Sequence, residues 1–200
     1  FRSCEGEALS TLGYLHSTRG HHIEAMRYFQ QALSCYREVG FQSGIIRVEI
    51  ELQRIEWSQG NREGALRRCE QIYTQARAFG DRAAETEALI SWTIFSAQSG
   101  ALEKAAELSE EAIAAAETIG AAVYVSIAVS WAARVQGDLG NTDKARQLYL
   151  RSIALAREGG RADNITGALG TFGRYLIRIE DTAEAVRVYE EAVALSLIHI

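Results

Sequence analysis

The stretch GHHIEAMRYF at residues 20–29 returns as GNREGALRRC at 60–69, GALEKAAELS at 100–109 and GNTDKARQLY at 140–149. Each begins with a glycine, and five residues later stands an alanine: Ala25, Ala65, Ala105 and Ala145, with Ala185 continuing the column. A second glycine series, Gly40, Gly80, Gly120 and Gly160, interleaves with the first at the same period of 40. Two more columns are always large and apolar. One reads Leu15, Ile55, Phe95, Val135 and Tyr175; the other reads Leu33, Tyr73, Ile113, Ile153 and Val193. Agreement in several columns over five copies divides the 200 residues into repeats 1–40, 41–80, 81–120, 121–160 and 161–200 of a single array.

The spacing inside each half-repeat is helical. Leu89, Trp92 and Phe95–Ser96 follow the i, i+3, i+6/i+7 rhythm of one helix face. A glycine just past the last turn is the common left-handed stop of a helix. Asn61, Asn141 and Asp181 stand where an N-cap is needed, and Asp181 with Glu184 forms a D-x-x-E capping box. Each repeat is therefore expected to be two antiparallel helices of about 17 residues, each roughly 25 Å long. They are placed near 3–19 and 22–39 and then at 40-residue steps. The constant alanine sets a close approach between the two helices of a pair, where a larger side chain would push the axes apart. Column 8 of the repeat (Ala8, Val48, Ala88, Ala128, Ala168) is also small, and the large residues of columns 12, 15, 29 and 33 fill the remaining space.

Composition supports the same class. The chain has no proline, whereas an average protein of this length would carry about ten. Proline is excluded chiefly from helix interiors, so its absence points to an all-α fold. Apolar residues make up 48%, enough to bury a core, which excludes a disordered chain. No apolar run is long enough to span a membrane. The net charge is −5 with a pI near 5.5, which gives no global attraction to nucleic acid. Cys4, Cys35 and Cys69 are odd in number and far apart, as expected of reduced thiols in the cytoplasm. The chain begins at Phe1 inside a periodic segment, as a piece of a longer protein would. Its ending, Leu195 to Ile200, breaks the pattern: Ile200 replaces the glycine of column 40 and Leu197 replaces Arg or Glu, so this tail reads as a truncation or a non-native read-through.

These residues resemble a tetratricopeptide-repeat (TPR) array. The resemblance lies in Leu12–Gly13, Gly20, Ala25, Phe29 and Ala32 of the first copy, in Ala145 and Tyr149 of the fourth and in Ala185, Tyr189 and Ala192 of the fifth. It covers nearly the whole chain. The period is 40 rather than the commoner 34, Arg37 stands where a proline often ends the second helix, and Leu9 or Glu49 occupies the early Trp column. The longer period resembles repeats of large bacterial signalling proteins, such as ATP-dependent transcriptional activators, histidine kinases and nucleotide cyclases. The resemblance implies an α-α superhelix, a TPR solenoid of five antiparallel helix pairs, whose concave groove is lined by the first helix of each pair.

Catalytic motifs are absent: no G-x-x-x-x-G-K-[ST], H-E-x-x-H or G-x-S-x-G occurs. His16, His21 and His22 cluster without the Asp or Cys series that would complete a metal site, and read as surface or capping residues. Gly167, Gly170 and Gly173 are spaced like a phosphate loop but fall inside a first helix, where close packing explains them better. Glu110–Glu111 and Glu190–Glu191 sit on solvated second-helix faces. Cys35 and Cys69 read as small packing residues. The chain is expected not to be an enzyme and to need no cofactor and no metal.

Mapping the first helices at 100° per residue puts columns 8, 12, 15 and 19 on a buried stripe and columns 7, 10, 14, 17 and 18 opposite. On that second face stand Tyr14, Arg47, Arg54, Trp57, Gln98, Arg134, Arg174 and Arg178, the residues expected to bind a partner. Five arginines against Glu7, Glu87 and Asp138 leave a local excess of two positive charges on a negative chain. Arginine suits bidentate carboxylate or phosphate recognition, and Tyr and Trp are common anchors at interfaces. The expected partner is a protein or peptide, in particular an acidic segment laid along the groove, with no nucleic acid and no membrane bound by this segment. Two alternatives are a regulatory sensor within a signalling enzyme or transcriptional activator, and a scaffold that self-associates through uncapped ends.

Overall fold

The computed structural model describes residues 1–198, with side chains to residue 195. The deviating tail, with Leu197, His199 and Ile200, lies outside the described side chains. Among the described residues there are ten α-helices and no strand: α1 (Arg2–Thr18), α2 (His22–Glu38), α3 (Gln42–Ser58), α4 (Arg62–Phe79), α5 (Arg82–Gln98), α6 (Leu102–Ile119), α7 (Ala122–Asp138), α8 (Thr142–Glu158), α9 (Ala162–Arg178) and α10 (Thr182–Ile198). Each expected pair is present, with boundaries within one residue or so. None of these helices is long and apolar enough to cross a membrane. The chain forms two compact units, Phe1–Phe95 and Ser96–Ile200, and the boundary falls within α5.

The helix stops have one geometry. All eight glycines of the two series adopt positive φ, from 67° at Gly40 to 88° at Gly100. After six of them the following amide bonds back to the carbonyl five residues earlier, as in His21 N–H to His16 (2.9 Å), Phe41 to Tyr36 (2.9 Å) and Asn141 to Gln136 (2.9 Å), whereas Ala121 and Arg161, after Gly120 and Gly160, are extended and make no such bond. This closes carbonyls that the helix end would leave open. In the fifth repeat the same turn is made without glycine. Glu180 takes φ 63°, and Asp181 N–H still reaches the Leu176 carbonyl at 2.9 Å.

The caps divide. Asn61 accepts the Gly64 amide at 3.1 Å, as expected. Asn141 makes no such bond, because its amide donates to Gln136 Oε1 at 2.8 Å instead. Asp181 accepts the Glu184 amide, but the carboxylate of Glu184 turns to Arg146, so the box is completed only on one side.

Within unit 1, Phe29 and Leu33 of α2 pack on Val48, Leu52 and Ile55 of α3. In unit 2, Tyr149 and Ile153 of α8 pack on Ala168, Leu169 and Phe172 of α9. Ala25, Ala65, Ala105 and Ala145 are wholly buried and Ala185 nearly so, which bears out the spacing role of that column. Columns 8, 12 and 15 thus bury against the preceding pair. In α1 no such pair packs on them among the described residues, and Leu12 and Leu15 remain 41% and 47% exposed. Column 19 departs from the expected stripe: Arg19, Gln59 and Ser99 are exposed and Leu139 and Ile179 half-buried. The helices end one residue before it, and the turn carries it off the buried face.

Gly167, Gly170 and Gly173 lie inside α9, and a Cβ on Gly173 would sit 2.7 Å from the Tyr189 ring. The second-helix carboxylates form ion pairs on the outside of unit 2. Lys144–Glu110 (3.3 Å), Arg151–Glu117 (2.6 Å) and Arg157–Glu191 each span 34 residues. The equal spacing follows from the repeat, since column 24 meets column 30 and column 31 meets column 37 of neighbouring second helices.

Candidate partner-binding site

In unit 2, Arg174 and Arg178 are one turn apart and share a face of α9, and Arg134 holds the matching position on α7. All three line one cavity of about 210 Å³, with Trp131 of α7, Tyr149 of α8 and Tyr175 of α9 as aromatic walls. The guanidinium of Arg134 lies 5.2 Å from the centre of the Trp131 ring, and that of Arg178 lies 5.4 Å from Tyr175. A guanidinium over a ring face is attracted to it and keeps N–H groups for another acceptor.

Charge within the cavity is unequal. Asp138 pairs with Arg178 and lies 3.9 Å from Arg134. Arg174 has no ion pair among the described residues. Tyr149 is buried against Phe172 and Tyr175 (ring centres 5.4 and 5.0 Å), and burial pushes its phenol up to about 12, opposed by Arg178 and Arg134. The phenol is therefore a neutral donor at physiological pH. Ser130 and Thr171 complete the wall, with their hydroxyls 3.0 Å apart.

In unit 1 a second cavity, of about 320 Å³, has Tyr14 and Arg47 at its rim and Phe29 and Tyr36 at its floor. Arg47 is the one arginine in its lining, and Arg54 stands beside two of its lining acids. Arg54 bonds Glu51 at 2.6 Å and lies 3.9 Å from Glu87, while Arg47 stands 5.9 Å from the Phe41 ring. Burial raises the Glu51 carboxyl above its ordinary range, with Arg54 pulling the other way. Close packing of α1 on α2 holds the floor: a Cβ on Gly6 or Gly13 would strike the rings of Tyr36 or Phe29.

Of the eight residues expected to bind a partner, the structure brings Arg134, Arg174 and Arg178 together in one cavity and Tyr14 with Arg47 in another, while Arg54, paired with Glu51 and Glu87, lines neither. Trp57 is half-buried, stacked on Phe95 with ring centres 4.3 Å apart and planes at 4°, so it serves packing between α3 and α5. Gln98 is exposed at the end of α5 and lines neither cavity. Trp131, Thr171 and Glu51 were not anticipated, although column 11 stands three residues before column 14 and so on the same face. Tyr149 was read only as a core filler.

The remaining sequence candidates belong to packing. Cys35 and Cys69 are buried, and Gln53 donates to the Cys69 sulfur at 2.5 Å. Burial pushes the Cys69 thiol up to about 12, which leaves it inert at neutral pH. His16 stacks on Tyr28 with ring centres 5.2 Å apart, and His21 holds the N-cap position of α2 without a side-chain bond.

The tetratricopeptide-repeat pattern matches residues 125–197 and, in a second form, residues 6–39. No curated protein sequence matches the chain. Among solved structures, it is similar to a Rap protein complexed with Competence and Sporulation Factor (TM-score 0.83, 12% identity), covering 96% of this chain and 54% of that one. It is also similar to the Rap conjugation gene regulator of plasmid pLS20 in complex with the Phr* peptide (TM-score 0.79, 16% identity, 94% and 52% covered). A third is a Signal Transduction ATPase with Numerous Domains from Pyrococcus horikoshii that has a tetratricopeptide-repeat sensor (TM-score 0.71, 17% identity, 100% and 34% covered). The chain spans about half the length of these Rap proteins and about a third of the ATPase. With five copies of one helix pair, the glycine stops and the small-residue column, this chain belongs to the tetratricopeptide-repeat family and is an all-α solenoid.

Proposed function

We propose that the chain is a peptide-binding interaction module rather than an enzyme, and that the arginine-bearing face of its first helices receives an acidic segment of a partner protein. One observation carries this reading: three arginines line one cavity, a single carboxylate, Asp138, pairs with two of them, and the third, Arg174, has no ion pair among the described residues. Preformed guanidinium forks on aromatic walls favour an anionic guest. The two similar Rap structures each hold a bound factor or peptide, which fits the same use. The double substitution Arg134→Glu with Arg174→Glu tests it. Partners recovered by pull-down with the wild type are lost to the variant, while circular dichroism shows unchanged helicity; equal recovery overturns the proposal.

A second reading places the module as the sensing segment of a larger cytoplasmic signalling protein. The likeness to a tetratricopeptide-repeat sensor, of which the chain covers only a third, favours it. Full-length reading frames carrying an ATPase, kinase or DNA-binding domain beside this segment support it, and frames lacking any such domain oppose it. Self-association rests on a separate observation, the exposed Leu12 and Leu15 of α1.

A further inference from the structure

The unit 2 cavity is out of charge balance in one direction. Arg134, Arg174 and Arg178 face a single acid, Asp138, which leaves two positive charges without a counterpart. One carboxylate would neutralise half of that excess. A phosphomonoester carries close to two negative charges at neutral pH and three strong acceptor oxygens, and would neutralise it.

The donors suit a tetrahedral group as well. Arg134 comes from α7 and Arg174 and Arg178 from α9, so guanidinium edges reach the cavity from two helices. The guanidinium carbons of Arg134 and Arg178 each lie over an aromatic ring, 5.2 and 5.4 Å from its centre. A planar carboxylate offers two oxygens in one plane, whereas a phosphoryl group offers three around an axis. A further donor stands at the cavity: Tyr149 is 3% exposed as a residue, lines the cavity, and its hydroxyl makes no hydrogen bond among the described residues. An anion in the cavity would meet a neutral donor for which no protein acceptor competes.

We propose that this cavity is a phosphoryl receptor, in which Arg134, Arg174 and Arg178 hold a phosphomonoester dianion and Tyr149 donates to it. The proposal rests on the partner-binding reading of the same site and narrows the acidic ligand to one chemical class. Its source is either a phosphorylated side chain of a protein or a small phosphate compound.

The test uses the whole isotope-labelled chain and follows the arginine Nε–H and tryptophan indole resonances. Four probes are titrated: inorganic phosphate, an alanine-flanked phosphoserine pentapeptide, and its glutamate and serine counterparts. At pH 7.5 the phosphoserine peptide is expected to bind at least about tenfold more tightly than the glutamate peptide, because of its second charge. That advantage shrinks at pH 5.5, below the second phosphoryl pKa of about 6. The ionisable groups that line the cavity are Arg134, Tyr149, Arg174, Tyr175 and Arg178, with Asp138 paired to Arg178 and Arg134, and α7, α8 and α9 carry no histidine. Arg174→Ala, which removes an exposed charge, abolishes most of the binding. Phosphoserine binding above inorganic phosphate assigns a phosphorylated protein, and equality assigns a small phosphate compound. A glutamate peptide that matches phosphoserine overturns the phosphoryl assignment and leaves the acidic-segment reading standing. Absence of any response to both phosphate probes also overturns it, whatever the pull-down shows.

Discussion

Arg178 and Asp138 occupy the same position of consecutive repeats and form an ion pair across 40 residues of sequence. The same carboxylate lies 3.9 Å from Arg134, so one acid serves two of the three arginines. Its side chain is only 21% exposed, yet it sits at the edge of the cavity rather than in the core. Asp138→Asn is therefore expected to change stability by no more than about 1 kcal/mol, as for other peripheral ion pairs. It should also raise the affinity of the unit 2 cavity for inorganic phosphate. Urea denaturation and phosphate titration check the two halves, and weaker anion binding by the variant would contradict the assigned role.

Glu180 makes a turn that glycine makes eight times elsewhere in this chain. A left-handed conformation costs a side-chain-bearing residue about 1 kcal/mol or more. Glu180→Gly is expected to stabilise the protein by roughly that amount, seen as a higher denaturation midpoint with an unchanged slope. Conversely, Gly140→Ala should lose a similar amount, although an added Cβ there meets nothing within 4 Å.

Interior glycines of the first helices separate by what surrounds them. Gly167 has open space around it, so Gly167→Ala gains helix propensity of about 1 kcal/mol. Gly13 faces the buried ring of Phe29, which an added methyl would approach to 2.6 Å. Gly13→Ala is expected to destabilise by about 1–3 kcal/mol, the usual range for overpacking. Thermal unfolding of the two variants beside the wild type should show midpoints moving in opposite directions.

Much of the fold was legible because its signals are local and repeated. A glycine that must turn left-handed and an alanine wedged between two helices mean the same thing in every copy. The features that escaped depend on a neighbour from elsewhere. Asn141 is as good an N-cap in sequence as Asn61, but Gln136 competes for its side chain. Trp57 falls on the expected binding face, yet Phe95, from the next repeat, claims its ring. The arginines of the site could be found from a helical wheel, which gives directions. It does not give partners, so it could not separate Arg54, tied to Glu51, from Arg174, which has no ion pair among the described residues. Tyr149 illustrates the opposite difficulty, since one residue both fills the core and walls the cavity.

The front face of α1 offers a test of self-association. Leu12→Glu with Leu15→Glu should leave the fold intact, since both side chains are already 41% and 47% exposed. Ile55→Glu, in the same column one repeat later, buries a charge and should unfold unit 1. Concentration-dependent sedimentation of the wild type that the double leucine variant lacks supports association through this face. A wild type that sediments as a single species at every concentration excludes it.

Thiol chemistry should resolve the three cysteines. Cys4 is exposed, whereas Cys35 and Cys69 are buried. One equivalent of an aromatic disulfide reagent is expected to react quickly at pH 8, and the other two only in denaturant. Rapid reaction of Cys69 in the native protein would mean that unit 1 opens far more readily than its packing indicates.

The burial of columns 8, 12 and 15 against the pair in front gives the chain a phase as well as a direction. Removing 40 residues across a junction would put a first helix where a first helix stood, with its apolar columns meeting the columns they already fit. Removing 20 would set a second helix there, turning its charged face inward and its small-residue column out of contact. Growth and loss in such a chain are therefore confined to whole pairs, and a change of half a unit is a change of fold.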